Sequence, residues 1–400
     1  MNKKKISIIL IFFIAILSTF VFVKNNSNVE ITNEVNNKSK KNNDLLTMNL
    51  EQTAGAGDYK TVTQSEWPTE GYKFNTELSR CENGSELSWD DVNKKILMSG
   101  VSADKCYVYF DIARFDKLCN TSTLACHVAK LYTGTQGENG IYYHNTSLTN
   151  GAGDNNYRYA GANPNNYICL GSDATTCPDD NLFRIIGVFG DKVKVIKDKS
   201  VVKMHWDTSN YNTWSISSLN TYLNGTYLTS MGTLSDKIDV ATWKVGGNTW
   251  DNISVSTAKE VYDYEIKNPS TTASTGETEY SAKIGLMYVS DYMFAVLQDN
   301  WTLVAYNSND ATKDYRAIKA ENWLYLGSDE YTITRSSKNS GEVFAIYSSG
   351  EVYSYSVSCN SDEPLPCSVY AKNARPSFYL ISSVEYSGGT GTSSDPIRIN

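Results

Sequence analysis

The chain has 400 residues, a formal net charge of −8 and a sequence pI near 5.1. This length accommodates one to three domains. A nucleic-acid partner is not expected, because no block of lysines or arginines follows Lys41 and such a role needs a basic face. The 28 tyrosines, with many Asn, Ser, Thr and Gly residues, favour a polar protein rich in β-strands.

The N-terminus combines a basic and an apolar segment. Lys3, Lys4 and Lys5 precede residues 6–23, eighteen residues without a charged side chain. As a helix this segment is roughly 27 Å long, close to the thickness of a bilayer's hydrocarbon core. The lysines favour a cytoplasmic N-terminus. We therefore predict a single-pass transmembrane signal anchor over residues 1–24, with the rest of the chain outside the cell membrane.

The alternative is a signal peptide that is cleaved to release a secreted protein. It predicts a shorter apolar core and small residues before the cleavage site, whereas this run ends in Phe20-Val21-Phe22-Val23. The uncleaved anchor is the preferred interpretation. A lipoprotein would need a cysteine directly after the apolar run, and the first cysteine is Cys81.

A linker and a small module are predicted next. Residues 25–60 are rich in Asn, Lys and Ser and too polar to bury a core, so we expect a disordered linker that spans roughly 33 Å. Residues 61–112 read as a small β module. Its predicted strands cover residues 71–74, 86–89, 95–98 and 106–110, with a turn at 90–93.

The eight cysteines favour disulfides over a metal site. No C-x-x-C pair occurs, so the spacing of zinc ligands is absent. An even number of cysteines in local couples on an exported chain indicates disulfide bonds. Many pairings are open, and we favour Cys81–Cys106, Cys119–Cys126, Cys169–Cys177 and Cys359–Cys367. The first would close a 25-residue loop in the small module and could add about 3 kcal/mol to its stability.

Residues 113–400 form the largest predicted domain. Apolar residues at helical spacing predict a helix over residues 121–131, with Thr121 or Ser122 as its N-cap. A loop region rich in Gly, Asn and Asp continues up to Asn166.

The clearest hairpin of the chain covers residues 182–196, where two β-branched runs flank Gly190-Asp191. A short amphipathic helix is predicted within residues 214–231. Its apolar face comprises Ile216, Leu219, Tyr222 and Leu223. Further strands are predicted at residues 284–289, 331–334, 343–347, 352–355 and 377–380. The predicted fold class is α+β, mainly antiparallel β with two or three short helices.

Several segments together resemble an uncharacterised extracellular domain of low-GC Gram-positive gut bacteria. They are residues 157–166, 180–188, 214–224, 282–291, 322–325, 374–380, 388–391 and 395–396. The resemblance covers about residues 113–400, and residues 81–110 are similar to a small module often found ahead of that domain. The family implies no established activity.

Two of these segments also suggest a fold. The pattern W-x-x-S-x-L-x-x-Y-L-N from Trp214 and the late R-P-x-x-x-L from Arg375 are loosely similar to the C-type-lectin-like fold shared with formylglycine-generating enzymes. This is a likeness of fold, which does not transfer function.

Catalytic and metal-binding signals are weak throughout. His127, His144 and His205 lack the spacing of metal ligands, and the adjacent Cys126 and His127 would point to different faces of a helix. No G-x-S-x-G, H-E-x-x-H or P-loop motif occurs. We therefore predict no catalytic residue, no metal site and no cofactor.

Two acidic groups are the remaining candidates. They are Asp173, Asp179 and Asp180 as ligands of a structural Ca²⁺, and Glu260, Asp263 and Glu265 as a glycosidase pair. The first group lacks EF-hand spacing, so solvated turn residues are the preferred interpretation. For the second, sequence does not define the separation of the carboxylates.

Four large side chains have two interpretations each. Arg375 could bind an anionic ligand, but pairing with a carboxylate that locks the last strands is preferred. Trp214, Trp301 and Trp323 could stack on sugars, but their apolar neighbours favour core packing.

These observations predict a membrane-anchored surface protein whose extracellular part is a non-enzymatic binding or structural module. The expected partner is a carbohydrate or protein of the cell envelope or of a host. The alternatives are an extracellular enzyme on a formylglycine-generating-like or lectin-like scaffold, and a secretion or pilus-like component. A deep site with convergent titratable groups would favour the enzyme, whereas a shallow aromatic surface would favour binding.

Overall fold

The computed structural model describes residues 29–32, 46–52, 56–63, 71–91, 93–101, 103–119, 121–249, 253–269, 277–358 and 371–399. These residues form a strand-rich fold with short helices and open, mainly antiparallel sheets, which confirms the predicted α+β class. Among them, no helix has the length and hydropathy to cross a membrane. The predicted anchor over residues 1–24 lies outside the described residues.

The chain divides into two compact units, Met1–Leu118 and Cys119–Asn400. The strands of the first unit are β1 (Val29–Thr32), β2 (Leu46–Glu51), β3 (Tyr59–Val62), β4 (Tyr72–Phe74), β5 (Arg80–Cys81), β6 (Glu86–Asp90), β7 (Lys95–Ser99) and β8 (Cys106–Ile112). One sheet has the order β1–β7–β6 and the other the order β3–β2–β8–β4, with β5 also paired to β8. The unit ends with helix α1 (Phe115–Leu118).

Strand β2 shows that the predicted linker over residues 25–60 is wrong in its C-terminal part. This strand lies inside its sheet, parallel to β8 and antiparallel to β3. Met48 and Leu50 are buried with Val108 and Phe110 in the core of the unit. The residues around β2 in sequence are polar, so they give no local signal of a strand. Its apolar residues are buried against β8, a partner far along the chain.

Three of the four predicted cysteine pairs lie at disulfide-bonding distance. The sulfur atoms are 1.97 Å apart in Cys81–Cys106, 2.23 Å in Cys119–Cys126 and 2.01 Å in Cys169–Cys177. The first pair joins β5 to β8 within the small unit. The fourth predicted pair, Cys359–Cys367, lies outside the described residues.

The second unit contains two larger sheets. Its strands are β9 (Ile141–Tyr143), β10 (Tyr157–Tyr159), β11 (Tyr167–Cys169), β12 (Leu182–Phe189), β13 (Lys192–Lys197), β14 (Val202–Met204), β15 (Ala241–Lys244), β16 (Gly247–Asn248), β17 (Glu279–Ala282), β18 (Ile284–Gly285), β19 (Glu330–Ser336), β20 (Glu342–Ile346), β21 (Val352–Ser356), β22 (Lys372–Ala374), β23 (Ser377–Tyr379), β24 (Tyr386–Gly388) and β25 (Arg398–Ile399). Sheet A has the order β18–β23–β13–β12–β10–β9, with β11 on β12. Sheet B has the order β14–β22–β19–β20–β21, with β16 on β19. The pairs β15–β17 and β24–β25 stand apart.

The helices of this unit are short. They are α2 (Leu124–Ala129), α3 (Ser218–Tyr222), α4 (Leu228–Ser230), α5 (Ala258–Tyr262) and α6 (Val289–Phe294). The π turns Leu223–Tyr227 and Asp263–Lys267 extend α3 and α5. Short 3-10 segments occur at Glu138–Gly140, Asp179–Asn181, Trp214–Ile216, Gly232–Lys237, Gln298–Asn300, Ala311–Lys313 and Lys319–Glu321.

Several predicted elements are confirmed and others need correction. The hairpin of β12 and β13 turns at Gly190, which has a left-handed φ of 62°. The helix predicted over residues 121–131 is shorter, and its N-cap is Thr123, whose side chain accepts the N–H of Cys126. Strands β9 and β10 lie in the region predicted as a loop. They were not predicted because each has only three residues in a polar context.

The strand predicted at residues 284–289 is also shorter than expected. Strand β18 ends at Gly285 and helix α6 begins at Val289. Ile216, predicted on the apolar face of a helix, is 62% exposed because it belongs to the 3-10 turn before α3.

The core of the second unit is rich in tryptophan. Trp206 packs on Trp214 with ring centres 5.1 Å apart and on Tyr331 with ring centres 5.7 Å apart. Leu219 and Leu223 of the α3 segment belong to the same cluster as buried residues of sheet B. This packing supports the sheet on which the candidate site lies.

Candidate binding surface

The hairpin of β20 and β21 forms one end of sheet B in the described residues. Val343 and Ala345 on β20 are fully buried, whereas Tyr353, opposite Ala345, is 37% exposed. Tyr355, opposite Val343, is half-buried. Because side chains alternate along a strand, these two tyrosines lie on the same face of β21, where Tyr355 packs against the core and Tyr353 reaches the solvent.

Two further tyrosines extend this face into a row. Tyr306, Tyr347, Tyr353 and Tyr355 together form what we name the tyrosine stripe. Ring centres are 5.2 Å apart in Tyr306–Tyr353, 5.8 Å in Tyr347–Tyr353 and 5.7 Å in Tyr347–Tyr355. The first two pairs meet edge to face, at 89° and 82°, a geometry that aromatic rings prefer. The stripe therefore combines ring faces with ring edges.

A cation–carboxylate pair holds each end of the stripe. At one end Arg316 pairs with Asp314, Nη2 to Oδ2 2.6 Å, and its guanidinium carbon lies 4.9 Å from the centre of the nearest ring. At the other end Lys372 pairs with Asp329, Nζ to Oδ2 2.9 Å, and its ammonium lies 3.7 Å from the nearest ring centre. Cations over ring faces fix these rings in place.

The protonation states of the stripe give it both donors and acceptors. Burial raises the pKa of Tyr347, and the nearby tyrosines and carboxylates act in the same direction. Its hydroxyl therefore stays protonated at neutral pH. Burial acts against ionisation of Asp329, but the hydrogen bond from Lys372 prevails and lowers the pKa of Asp329. The neutral hydroxyl of Tyr347 thus lies near the charged carboxylate of Asp329.

The depressions of the described surface are shallow. One, of about 180 Å³, lies against β6 and β7 and is lined by Glu86, Leu87, Ser88, Leu97, Met98 and Ser99. The other, of about 240 Å³, is lined by Phe189, Lys192, Asp239, Val240, Ala241, Thr242 and Tyr379. Both are smaller than the roughly 300–1,000 Å³ of pockets that enclose small molecules.

The tryptophans considered for sugar stacking are core residues. Trp214 and Trp301 are fully buried and Trp323 is 4% exposed. The indole N–H of Trp301 donates to the carbonyl oxygen of Val296 at 2.8 Å, and that of Trp323 donates to Tyr159 at 3.0 Å. Core packing, the preferred interpretation, is confirmed.

Arg375 is a buried structural residue. Its Nε lies 2.6 Å from Oε1 of Glu330, and its Nη2 donates to the carbonyl oxygen of Leu324 at 2.6 Å. Arg375 and Glu330 are 1–2% exposed. The predicted pairing with a carboxylate is confirmed.

The histidines have separate structural contacts. His127 stacks on Tyr386 with ring centres 3.6 Å apart, and buried His144 accepts the N–H of Ala152 at Nδ1. Among the residues that the structure describes, only Cys81, Asp104 and Cys106 bring three metal-capable atoms together. Both sulfurs of that group are bonded to each other, so they are not thiolate ligands.

The acidic candidates also have separate partners. Asp179 pairs with Lys199 on the surface, and Asp263 pairs with Lys259 and Lys267. Glu260 closes the capping box of α5 with the N–H and hydroxyl of Thr257. Glu265 is buried and accepts the N–H groups of Val289 and Ser290. Asp179 and Asp263 thus form ion pairs, Glu260 caps a helix, and Glu265 forms buried hydrogen bonds.

The tyrosine stripe was not predicted as a binding site from the sequence. The alternation Val352-Tyr-Ser-Tyr-Ser356 is its only local signal, because Tyr306 and Tyr347 come from other segments. No family model, no curated protein and no solved structure matches the chain. Its function is therefore argued from the surface itself.

Proposed function

We propose that the chain is a membrane-anchored surface protein whose larger unit binds carbohydrate through the tyrosine stripe. The observation that carries the proposal is a row of four tyrosines in ring contact, with Tyr353 exposed on the β20–β21 hairpin and the partly exposed carboxylate of Asp329 at one end. The anchor rests on the apolar residues 6–23. Export is supported by three cysteine pairs at disulfide-bonding distance, since disulfides persist in oxidising compartments.

The chemistry of the stripe suits a sugar polymer. A tyrosine ring offers an apolar face for the C–H groups of a sugar ring, and its hydroxyl offers a polar tip. The carboxylate of Asp329, whose side chain is 29% exposed, can accept hydrogen bonds from sugar hydroxyls. A shallow row of rings suits an extended chain lying along the surface, whereas a small molecule is usually enclosed in a pocket.

A protein ligand is the competing occupant. Tyrosine and serine also form adaptable surfaces that bind proteins, and β21 alternates these two residue types. We favour carbohydrate because the partly exposed carboxylate of Asp329 adjoins one end of the stripe. The C-type-lectin-like resemblance stays a prediction of fold.

The enzyme alternative would need titratable groups that converge at an accessible site. One cluster of titratable groups in the second unit is almost fully buried. It comprises Lys194, Glu265 and Asp291, each at most 6% exposed. We therefore propose binding without catalysis.

A glycan array with the full chain in detergent tests this proposal. A fragment starting near residue 60 would lose β2, an interior strand of the small unit. We expect binding to a defined set of glycans, and Tyr353→Ala should weaken it about tenfold, which is roughly 1.4 kcal/mol. The matched control is Tyr264→Ala, since Tyr264 lies outside the stripe and is 36% exposed, compared with 37% for Tyr353.

Two results would contradict the proposal. One is the absence of binding to any glycan, which would favour a protein ligand. The other is equal binding by the Tyr353→Ala variant and the wild-type chain, which would place the glycan site elsewhere.

A further inference from the structure

A buried lysine lies at the centre of sheet A. Lys194 is on β13, between β12 and β23, and is only 1% exposed. Its ammonium nitrogen is 4.5–5.7 Å from the ring centres of Tyr288, Trp243, Tyr379 and Phe189. These rings surround the amine, and the charges of Asp291, Arg158 and Glu265 also act on it.

The carboxylate of Asp291 is in direct contact with this amine. Its Oδ2 lies 2.5 Å from Nζ of Lys194, although the two residues are 97 positions apart in sequence. The same oxygen accepts the backbone N–H of Tyr288 at 2.8 Å. Because Asp291 belongs to the first turn of α6, the capping hydrogen bond holds the carboxyl group against the lysine.

Burial favours the uncharged form of Lys194. Removing two opposite charges from water is costly, and transfer of one proton from the ammonium to the carboxylate abolishes both charges. Burial lowers the pKa of Lys194, although the charge of Asp291 opposes this effect. The products of the transfer are a neutral amine, which is a nucleophile, and a neutral carboxylic acid, which is an acceptor for it.

A second buried acid secures the helix that carries Asp291. The carboxyl oxygens of Glu265 accept the N–H groups of Val289 and Ser290, both at 3.0 Å, and also the hydroxyl of Thr334. Glu265 is thus a positioning residue for the N-terminal turn of α6. With Glu265 on one side and Lys194 on the other, this turn is held from two directions.

We propose that Lys194 and Asp291 condense to an intramolecular amide, a covalent cross-link between β13 and α6. The lone pair of Nζ attacks Cγ of the protonated Asp291 carboxyl group, and the new N–C bond forms. A C–O bond then breaks, and its oxygen leaves as water with one proton from the amine and one from the carboxylic acid. Nothing is oxidised or reduced, so the step needs no further reactant. The proposal is independent of the tyrosine stripe.

Peptide mapping of the wild-type full chain, with its disulfides reduced, tests the cross-link. We expect a branched peptide that contains residues 194 and 291, with a mass about 18 Da below the sum of the two linear peptides because one water is lost. The chain supplies its own control in Lys372 and Asp329, whose Nζ–Oδ2 distance is 2.9 Å. This pair should stay unlinked, since Asp329 is 29% exposed and water stabilises its charge.

Recovery of Lys194 and Asp291 only in separate linear peptides would overturn the proposal. The mapping needs no variant, so a failure of variants to fold cannot obscure it. Two variants confirm the bond's position: Lys194→Arg keeps the cation but should abolish the branched peptide, and so should Asp291→Ala. A branched peptide that persists in either variant would also overturn the assignment.

Discussion

Sheets A and B each carry a lysine–aspartate pair among aromatic rings, and the two pairs differ chiefly in their contact with water. In sheet A, Lys194 and Asp291 are 1% and 5% exposed in their side chains and 2.5 Å apart. In sheet B, Lys372 and Asp329 are 5% and 29% exposed and 2.9 Å apart. The buried pair in sheet A is therefore suited to forming an amide. The partly exposed pair in sheet B is suited to the border of a binding surface.

The difference lies in the position of each aspartate. Both lysines are on interior strands, β13 and β22. Asp291 is in the first turn of a buried helix, whereas Asp329 directly precedes β19 in an accessible segment. Solvation of the acceptor thus determines how strongly the pair is driven towards its neutral form.

Removal of Lys194 should have the largest effect on stability. Lys194→Ala removes the proposed cross-link and leaves the carboxyl group of Asp291 buried without its partner, so we expect the free energy of unfolding to fall by about 3–5 kcal/mol. Urea denaturation followed by tryptophan fluorescence measures this change, because the second unit contains the buried Trp206, Trp214 and Trp243. Lys192→Ala is the control on the same strand, since Lys192 is 38% exposed. If Lys194→Ala and Lys192→Ala lost similar amounts of unfolding free energy, burial of Lys194 would not be the cause of the larger effect.

Titration of Glu265 should make the buried region sensitive to pH. Burial raises the pKa of Glu265 from 4.5 to about 7 in the folded chain. Between these pH values the folded chain holds a proton that the unfolded chain has lost, so stability should fall as pH rises through this window. The expected loss is about 3 kcal/mol, at about 1.4 kcal/mol per unit of pKa shift.

The measurement is the unfolding free energy of wild type and Glu265→Gln at several pH values between 4.5 and 7. The variant cannot titrate at this position, so the difference between the two proteins should change across the window. A constant difference would show that Glu265 does not titrate there.

Removal of the partly exposed lysine should cost less. Lys372→Ala leaves a carboxylate that water can reach and removes one cation–ring contact, so we expect a loss of about 1–2 kcal/mol. Urea denaturation of Lys372→Ala and Lys194→Ala under the same conditions gives the comparison. A loss from Lys372→Ala as large as that from Lys194→Ala would mean that exposure of the aspartate is not the deciding factor.

Removal of an exposed tyrosine should have the smallest effect on stability. Tyr353→Ala removes two ring contacts at the surface, and we expect a change of about 1 kcal/mol or less. Thermal unfolding of this variant and of Tyr264→Ala should give similar midpoints, while only Tyr353→Ala weakens glycan binding. A large drop in the midpoint for Tyr353→Ala would indicate that the stripe is a structural cluster.

Part of this architecture could be predicted because its signals are local. The hairpin of β12 and β13 follows from two β-branched runs around Gly190-Asp191. The short spacing of Cys119–Cys126 and Cys169–Cys177 makes local pairing favourable. Strand β2 could not be predicted, because its burial depends on pairing with β8, far along the chain.

Neither the tyrosine stripe nor the buried lysine pair has a sequence motif. Tyr306 meets Tyr353 only because a loop returns to the end of sheet B. Asp291 meets Lys194 across 97 positions only because the fold brings the first turn of α6 to β13. A pattern in sequence cannot encode such contacts, since they depend on which faces the folded elements present to each other.

By itself the sequence determined the strand-rich α+β class, most C-terminal strands and the short-range cysteine pairs, because periodicity, turn residues and spacing act over a few positions. The tertiary structure alone decided which polar groups are deprived of water. It placed Lys194 and Asp291 in the interior and Tyr353 at the surface. Solvent access depends on the packing of distant elements, and that packing assigns similar side chains to different roles.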